Sequence, residues 1–275
     1  MKGTILLVTA LVGSTMEAGA QQVSEQRVRS AVEDAARGLG QTVAGGSPMT
    51  APAATTGGLG HFLAAAGVAV TRVEIEDPQQ ASGTADFLLP TAAVRLAIGI
   101  TGGTGSGGAI EGLGSVDLLG RVGIAAARDQ IEDASKLYGL GARVGILSET
   151  ALSPAASVSL MRTWTEEIAF GEPDEISFRG DVAVTSIRAD LSKRFVLVSP
   201  YVGAGVDRTE IEASYTIPEE FSTGGQDIRG SIDPSSTHQT VYAGIDLSLF
   251  LLAASVEAGI YDGGGFAALA VRAGL

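Results

Sequence analysis

From Leu59 onward, apolar residues alternate with small or polar ones in short segments. In Thr91–Thr101, Val94, Leu96, Ile98 and Ile100 share one parity, and Ala93, Arg95, Ala97 and Gly99 share the other. A period of two marks a strand, because successive side chains point to opposite sides of the backbone. The pattern recurs along the chain. Val116, Leu118, Val122 and Ile124 oppose Asp117, Arg121 and Gly123, and Leu140, Ala142, Val144 and Ile146 oppose Gly139, Gly141, Arg143 and Gly145. Val241, Ile245, Leu247 and Leu249 oppose Tyr242, Gly244, Asp246 and Ser248; Ala254, Val256 and Ile260 oppose Ser255, Glu257 and Gly259. Ten strands are predicted, over 59–75, 91–101, 113–127, 136–149, 155–166, 175–192, 195–209, 237–248, 251–261 and 265–275. In the sixth, Phe178 to Val184 hold one parity and Ile187, Ala189 and Leu191 take the other, which predicts a β-bulge near Thr185–Ser186.

In a soluble sandwich the core-facing set opposes a solvated face rich in Lys, Glu and Thr. Here the second face is glycine, alanine, serine and isolated charges. That is the pattern of a wall between hydrocarbon and a narrow polar lumen. The predicted fold is therefore all-β: an antiparallel up-and-down transmembrane β-barrel of about 10 strands (range 8–12). Long, acidic gaps mostly follow odd strands and short ones mostly follow even strands, as such a barrel requires. Arg95, Asp117, Arg121, Arg143, Asp246, Glu257 and Arg272 are the charged lumen candidates. A buried unpaired charge is costly, so these arginines are expected to meet the carboxylates across the lumen. Trp164, Phe170 and Phe178 near one rim, and Phe195 and Phe250 near the other, are candidates for aromatic girdles.

The segment ahead of the strands divides in two. Residues 1–20 read as a signal peptide: Lys2, the apolar stretch Ile5–Val12, and Ala18-Gly19-Ala20 as the cleavage site. Residues 21–58 read as a periplasmic helix and linker before the barrel at 59–275. Val28, Ala31, Val32, Ala35 and Leu39 form a helical stripe within Val23–Leu39, with Ser24 as N-cap and Gly38 and Gly40 ending the helix. The segment is expected to be a tether; a plug or gate entering the barrel mouth is the alternative.

Composition narrows the picture. The 275 residues are 45% hydrophobic, yet no apolar run approaches the roughly 20 residues of a spanning helix. A net charge of −13 disfavours nucleic acid, and the absence of cysteine excludes disulfides and a lipoprotein anchor. Gly103-Thr104-Gly105-Ser106-Gly107-Gly108 satisfies GxGxxG, but strand alternation rather than helix follows it, so a turn is expected and no cofactor. His61 and His238 have no metal-ligand spacing. His238 lies beside Ser235 and Ser236, a serine–histidine pairing with no placed acid.

Phe195–Asp207 and Thr237–Leu275, with the tight turn Leu249-Phe250-Leu251 and the amphipathic last strand, resemble bacterial outer-membrane barrel proteins. The resemblance implies an outer-membrane location among lipid and lipopolysaccharide. It also implies insertion by the barrel assembly machinery, reading Leu269, Val271, Ala273 and Leu275 of the terminal strand. A fainter similarity, in length only, is to hydrophobic-compound transporters with an N-terminal plug. The expected function is a narrow pore or transporter for small solutes. A structural barrel with a closed, salt-bridged lumen is the alternative, and an interfacial lipid-modifying enzyme the third reading.

Overall fold

A computed structural model describes residues 38–44, 53–76, 84–102, 114–125, 135–170, 177–217, 219, 226–262 and 264–274. Its strands are β1 (Phe62–Glu76), β2 (Thr84–Gly102), β3 (Ser115–Ala125), β4 (Ser135–Leu147), β5 (Ala155–Thr165) and β6 (Ile168–Phe170). They continue as β7 (Ser177–Ser192), β8 (Val198–Ile217), β9 (Ile228–Ile232), β10 (Ser235–Leu249), β11 (Leu252–Tyr261) and β12 (Gly264–Gly274). Ten of these close a ring, every pairing antiparallel. β1 meets β12 in the register Leu63↔Gly274, and β7 meets β8 across the other seam, Ser192↔Tyr201. β6 and β9 lie outside the ring, pairing with the ends of β7 and β8.

The alternation read from the sequence is the alternation of the wall. β5 is buried at every second position, and its outward set includes Val158 and Leu160. Outward side chains on neighbouring strands are equally apolar: Val94, Val122, Leu140, Ile187, Val202, Ile245, Val256 and Leu269 are all exposed. Towards the end with the long loops this apolar face stops at polar outward residues, Lys136, Arg162, Arg208, Gln239 and Asp262. On β10 the apolar stretch runs from Val241 to Leu249. At about 3.3 Å per residue and a tilt of about 40°, it is about 20–25 Å tall, the height of a hydrocarbon band. At the opposite end the apolar face continues into the turns, where Phe195, Val196, Leu249, Phe250 and Leu251 are exposed.

Three expectations need correction. β7 has no bulge at Thr185–Ser186: its pairing with β5 and with β8 runs without a register shift. Val182 and Val184 point inward with Ser186, Arg188 and Asp190, so the lumen face becomes apolar towards the loop end. The irregularities occur at Gly99/Thr101 and Gly145/Leu147 instead. The helix is not ended by Gly38 and Gly40, since residues 38–44 are helical. Nor do 38–44 and 53–58 form a tether, because both lie against the inside of the barrel. The signal peptide, most of the 23–39 stripe, the GxGxxG segment and Leu275 lie outside the described residues.

Candidate functional site

Ten strands spaced about 4.8 Å apart and tilted about 40° close at a backbone radius of about 10 Å. A helix needs about 10–12 Å of clear width with ordinary side chains. Helix 38–44 (Gly-Leu-Gly-Gln-Thr-Val-Ala) enters this space because it is built largely of small residues. Gln41, Thr42, Val43 and Ala44 are all buried. Gly40 approaches the wall closely. A Cβ there would lie 2.8 Å from both Cβ and Cγ2 of Thr209 on β8, and closer still to Oγ1. Gln41 Oε1 lies 3.4 Å from Thr240 Oγ1 on β10.

The C-terminal carbonyls of the described helix meet two arginines. Arg121 Nη1 donates to Val43 O at 2.5 Å and to Ala44 O at 2.8 Å; Arg95 Nη2 reaches Ala44 O at 3.5 Å. Arg95 and Arg121 are direct cross-strand partners on β2 and β3. Carbonyl oxygens, with their partial negative charge, suit the two guanidinium cations. Residues 53–58 cross the wall near the turn end. Ala53 N donates to Ser192 Oγ, Thr55 Oγ1 to Ser115 Oγ, and Thr56 N and Oγ1 to Asp117.

All seven charged candidates face inward and are buried. Asp117 accepts Arg143 Nε at 3.0 Å and Nη2 at 2.6 Å, a neighbouring-strand pair. Asp246 accepts Arg272 Nη2 at 2.5 Å, bridging β10 to β12 over β11 with Ser255 donating from between. The structure adds a third pair the sequence reading missed, Arg188 with Asp207 at 3.1 Å between β7 and β8. Asp190, also missed, accepts Tyr242 Oη at 2.6 Å. The expected pairing across the lumen is therefore corrected: the ion pairs run along the wall. Arg121 bonds to the helix carbonyls, and Arg95 reaches one of them as well.

Aromatic side chains also follow the wall. Tyr201, Tyr242, Tyr261 and Phe266 form one buried cluster. Tyr242 is the cross-strand partner of Gly203, and Tyr201 that of Gly244. A Cβ at either glycine would run into the ring opposite, so each ring lies flat where glycine leaves space. Large side chains held in this way do not cross the bore.

Trp164 faces outward near the loop end, while Phe195 and Phe250 sit exposed at turns on the opposite end. The side chains of Phe170 and Phe178 lie outside the described residues. Leu269, Val271 and Ala273 point outward. Ser236 Oγ lies 2.9 Å from His238 Nε2 on β10, and His61 is exposed beside β1. Just beyond β5, Glu166 accepts Lys136 Nζ at 3.1 Å and Tyr138 Oη at 3.0 Å, and these bonds hold its carboxyl below the usual glutamate range. Among the described residues, no group of three His, Asp or Glu side chains is placed to hold a metal.

No protein-family profile and no curated protein sequence matches the chain. Solved structures similar to it are outer-membrane barrels. Neisserial surface protein A aligns at 12% identity with a TM-score of 0.32, over 78% of this chain and 98% of that one. The outer membrane protease OmpT of Escherichia coli aligns at 8% with a TM-score of 0.39, over 78% and 95%. The transport unit of the autotransporter AIDA-I from Escherichia coli aligns at 10% with a TM-score of 0.38, over 87% and 97%. These scores transfer no residue role. The assignment to the outer-membrane type of β-barrel rests on the closed ring, its apolar outer band and its charged interior.

Proposed function

We propose that this protein is a pore of the bacterial outer membrane for small polar or anionic solutes, closed at rest by its own N-terminal segment. The observation that supports this reading is the division of labour inside the barrel. The ion pairs Asp117–Arg143, Arg188–Asp207 and Asp246–Arg272 hug the wall, while the space they leave is occupied by residues 38–44. A lumen sealed by salt bridges has no use for a separate insert. Among the described residues, the insert is bonded to the wall through Gln41, Val43 and Ala44. Ser236 and His238 are read as a polar pair of the wall, and no chemistry is assigned to them.

A reversible lock tests the reading. The chain contains no cysteine, so a Gly40→Cys, Thr209→Cys pair is unambiguous. The two Cβ positions fall 2.8 Å apart, a shift of about 1 Å from disulfide spacing. In planar bilayers the oxidised barrel should be silent, and reduction should allow the openings of a helix free to leave its seat. A folded barrel that stays silent in both states would overturn the pore reading in favour of the closed structural barrel.

A further inference from the structure

We infer that Arg121, with Arg95 beside it, is a binding site for a small oxyanion (a carboxylate or phosphate), and that occupying this site loosens helix 38–44. The inference deepens the pore reading and rests on it. Its observation is the state of one buried guanidinium. Arg121 is 2% exposed, and it spends Nη1 alone on the carbonyls of Val43 and Ala44. Its Nε and Nη2 have no hydrogen-bond partner among the described residues. These two N–H groups form the side edge of the guanidinium, the fork that matches two oxygens of a carboxylate or phosphate.

The same barrel shows what such an edge accepts. Arg143, on the next strand, turns its Nε and Nη2 together onto a carboxylate, that of Asp117. The other buried carboxylates are engaged elsewhere: Asp207 by Arg188 and Thr240, Asp190 by Tyr242, and Asp246 by Arg272 and Ser255, and Glu257 also has a partner. The cross-strand partner of Arg121 on β2 is a second arginine, Arg95. Gly139, the cross-strand neighbour of Arg121 on β4, places no side chain beside it. The site thus offers positive charge, a two-pronged donor edge and no resident carboxylate on that edge.

An oxyanion on this edge and the helix carbonyls draw on the same positive charge. The anion also sets a full negative charge beside the carbonyl oxygens of Val43 and Ala44. Each therefore weakens the other, and linkage makes the effect reciprocal. The solute that the pore admits would by this route release the segment that closes it.

Amide hydrogen exchange of the full mature chain in lipid nanodiscs tests this without relying on current. The probes are inorganic phosphate and acetate, each compared with chloride at equal ionic strength. Both oxyanions should speed exchange across residues 38–44 by about tenfold, within the usual range for coupled sites, while chloride leaves it unchanged. Arg121→Lys keeps the charge but loses the fork, and should abolish the preference for oxyanions over chloride. Exchange in the unaltered chain that is equal in all three salts overturns the inference, as does full discrimination in Arg121→Lys. The two readings fail separately. Anion-dependent exchange in a barrel that never conducts removes the pore and keeps the site, whereas current with anion-blind exchange does the reverse.

Discussion

Gly40→Ala adds one methyl group where the inserted helix meets Thr209 of the wall. That methyl meets Cβ and Cγ2 of Thr209 at 2.8 Å and Oγ1 closer still. Rotating the threonine gives no relief, because its Cβ is among the clashing atoms. Overpacking of this kind costs about 1–3 kcal/mol. Alanine also favours helix over glycine by up to about 1 kcal/mol, but this applies to the helix seated or released and cancels between those states. The release equilibrium should therefore rise about 5- to 150-fold. Single-channel recording of the refolded protein reads this as open probability. Thr209→Gly supplies the control, since Thr209 Oγ1 has no hydrogen-bond partner among the described residues and its removal breaks no such bond. The double variant should return to the closed level of the unaltered chain. Unchanged open probability in a folded Gly40→Ala barrel, or a double variant as open as the single, would refute the seating argument.

Three further outcomes follow from the wall. Asp117→Asn should cost about 3–5 kcal/mol by leaving Arg143 buried without its counter-charge, and Asp117→Asn with Arg143→Met should recover most of it. Urea unfolding from liposomes measures both, and equal losses in the single and double variants would show that the pair is not coupled. Leu140→Arg, at an outward position 63% exposed in the middle of β4, should cost about 2–4 kcal/mol in the same assay. An unchanged midpoint would place that position outside hydrocarbon. Phe250 turns the chain with a φ of 55°, so Phe250→Gly should gain about 1 kcal/mol by removing the left-handed penalty. A lower unfolding midpoint would mean that the exposed ring contributes more than the strain costs.

The ring was readable in the residues because lipid and lumen impose opposite demands on successive positions. Val94 and Arg95, or Leu118 and Asp117, have no second arrangement that satisfies both. The count of ten spanning strands, and the inward placement of Arg95, Arg121 and Arg143, follow from parity alone. Parity failed on β7, where Val182 and Val184 look like lipid-facing residues although they point inward. Accepting that false cue required a bulge, and the pair Arg188–Asp207 went unseen. Arg188 and Asp190 lie opposite Ile187, Ala189 and Leu191, which was the signal available. The seat of helix 38–44 could not be read locally. Gly40 resembles a helix stop until Thr209, far along the chain, is placed against it. Pairing partners were equally hidden, because a one-dimensional pattern says which side a charge is on and not which neighbour it meets.

β1, the strand that leads out of the enclosed segment, is also the strand that mates with β12. The cylinder therefore cannot be sealed until its final strand arrives, and the joint it then makes lies beside the tail being enclosed. Contacts between such distant parts of a chain form late, since the loop entropy must be overcome first. Making that joint and enclosing the tail are thus coupled steps. An error at that single joint would leave the wall open and its occupant outside together.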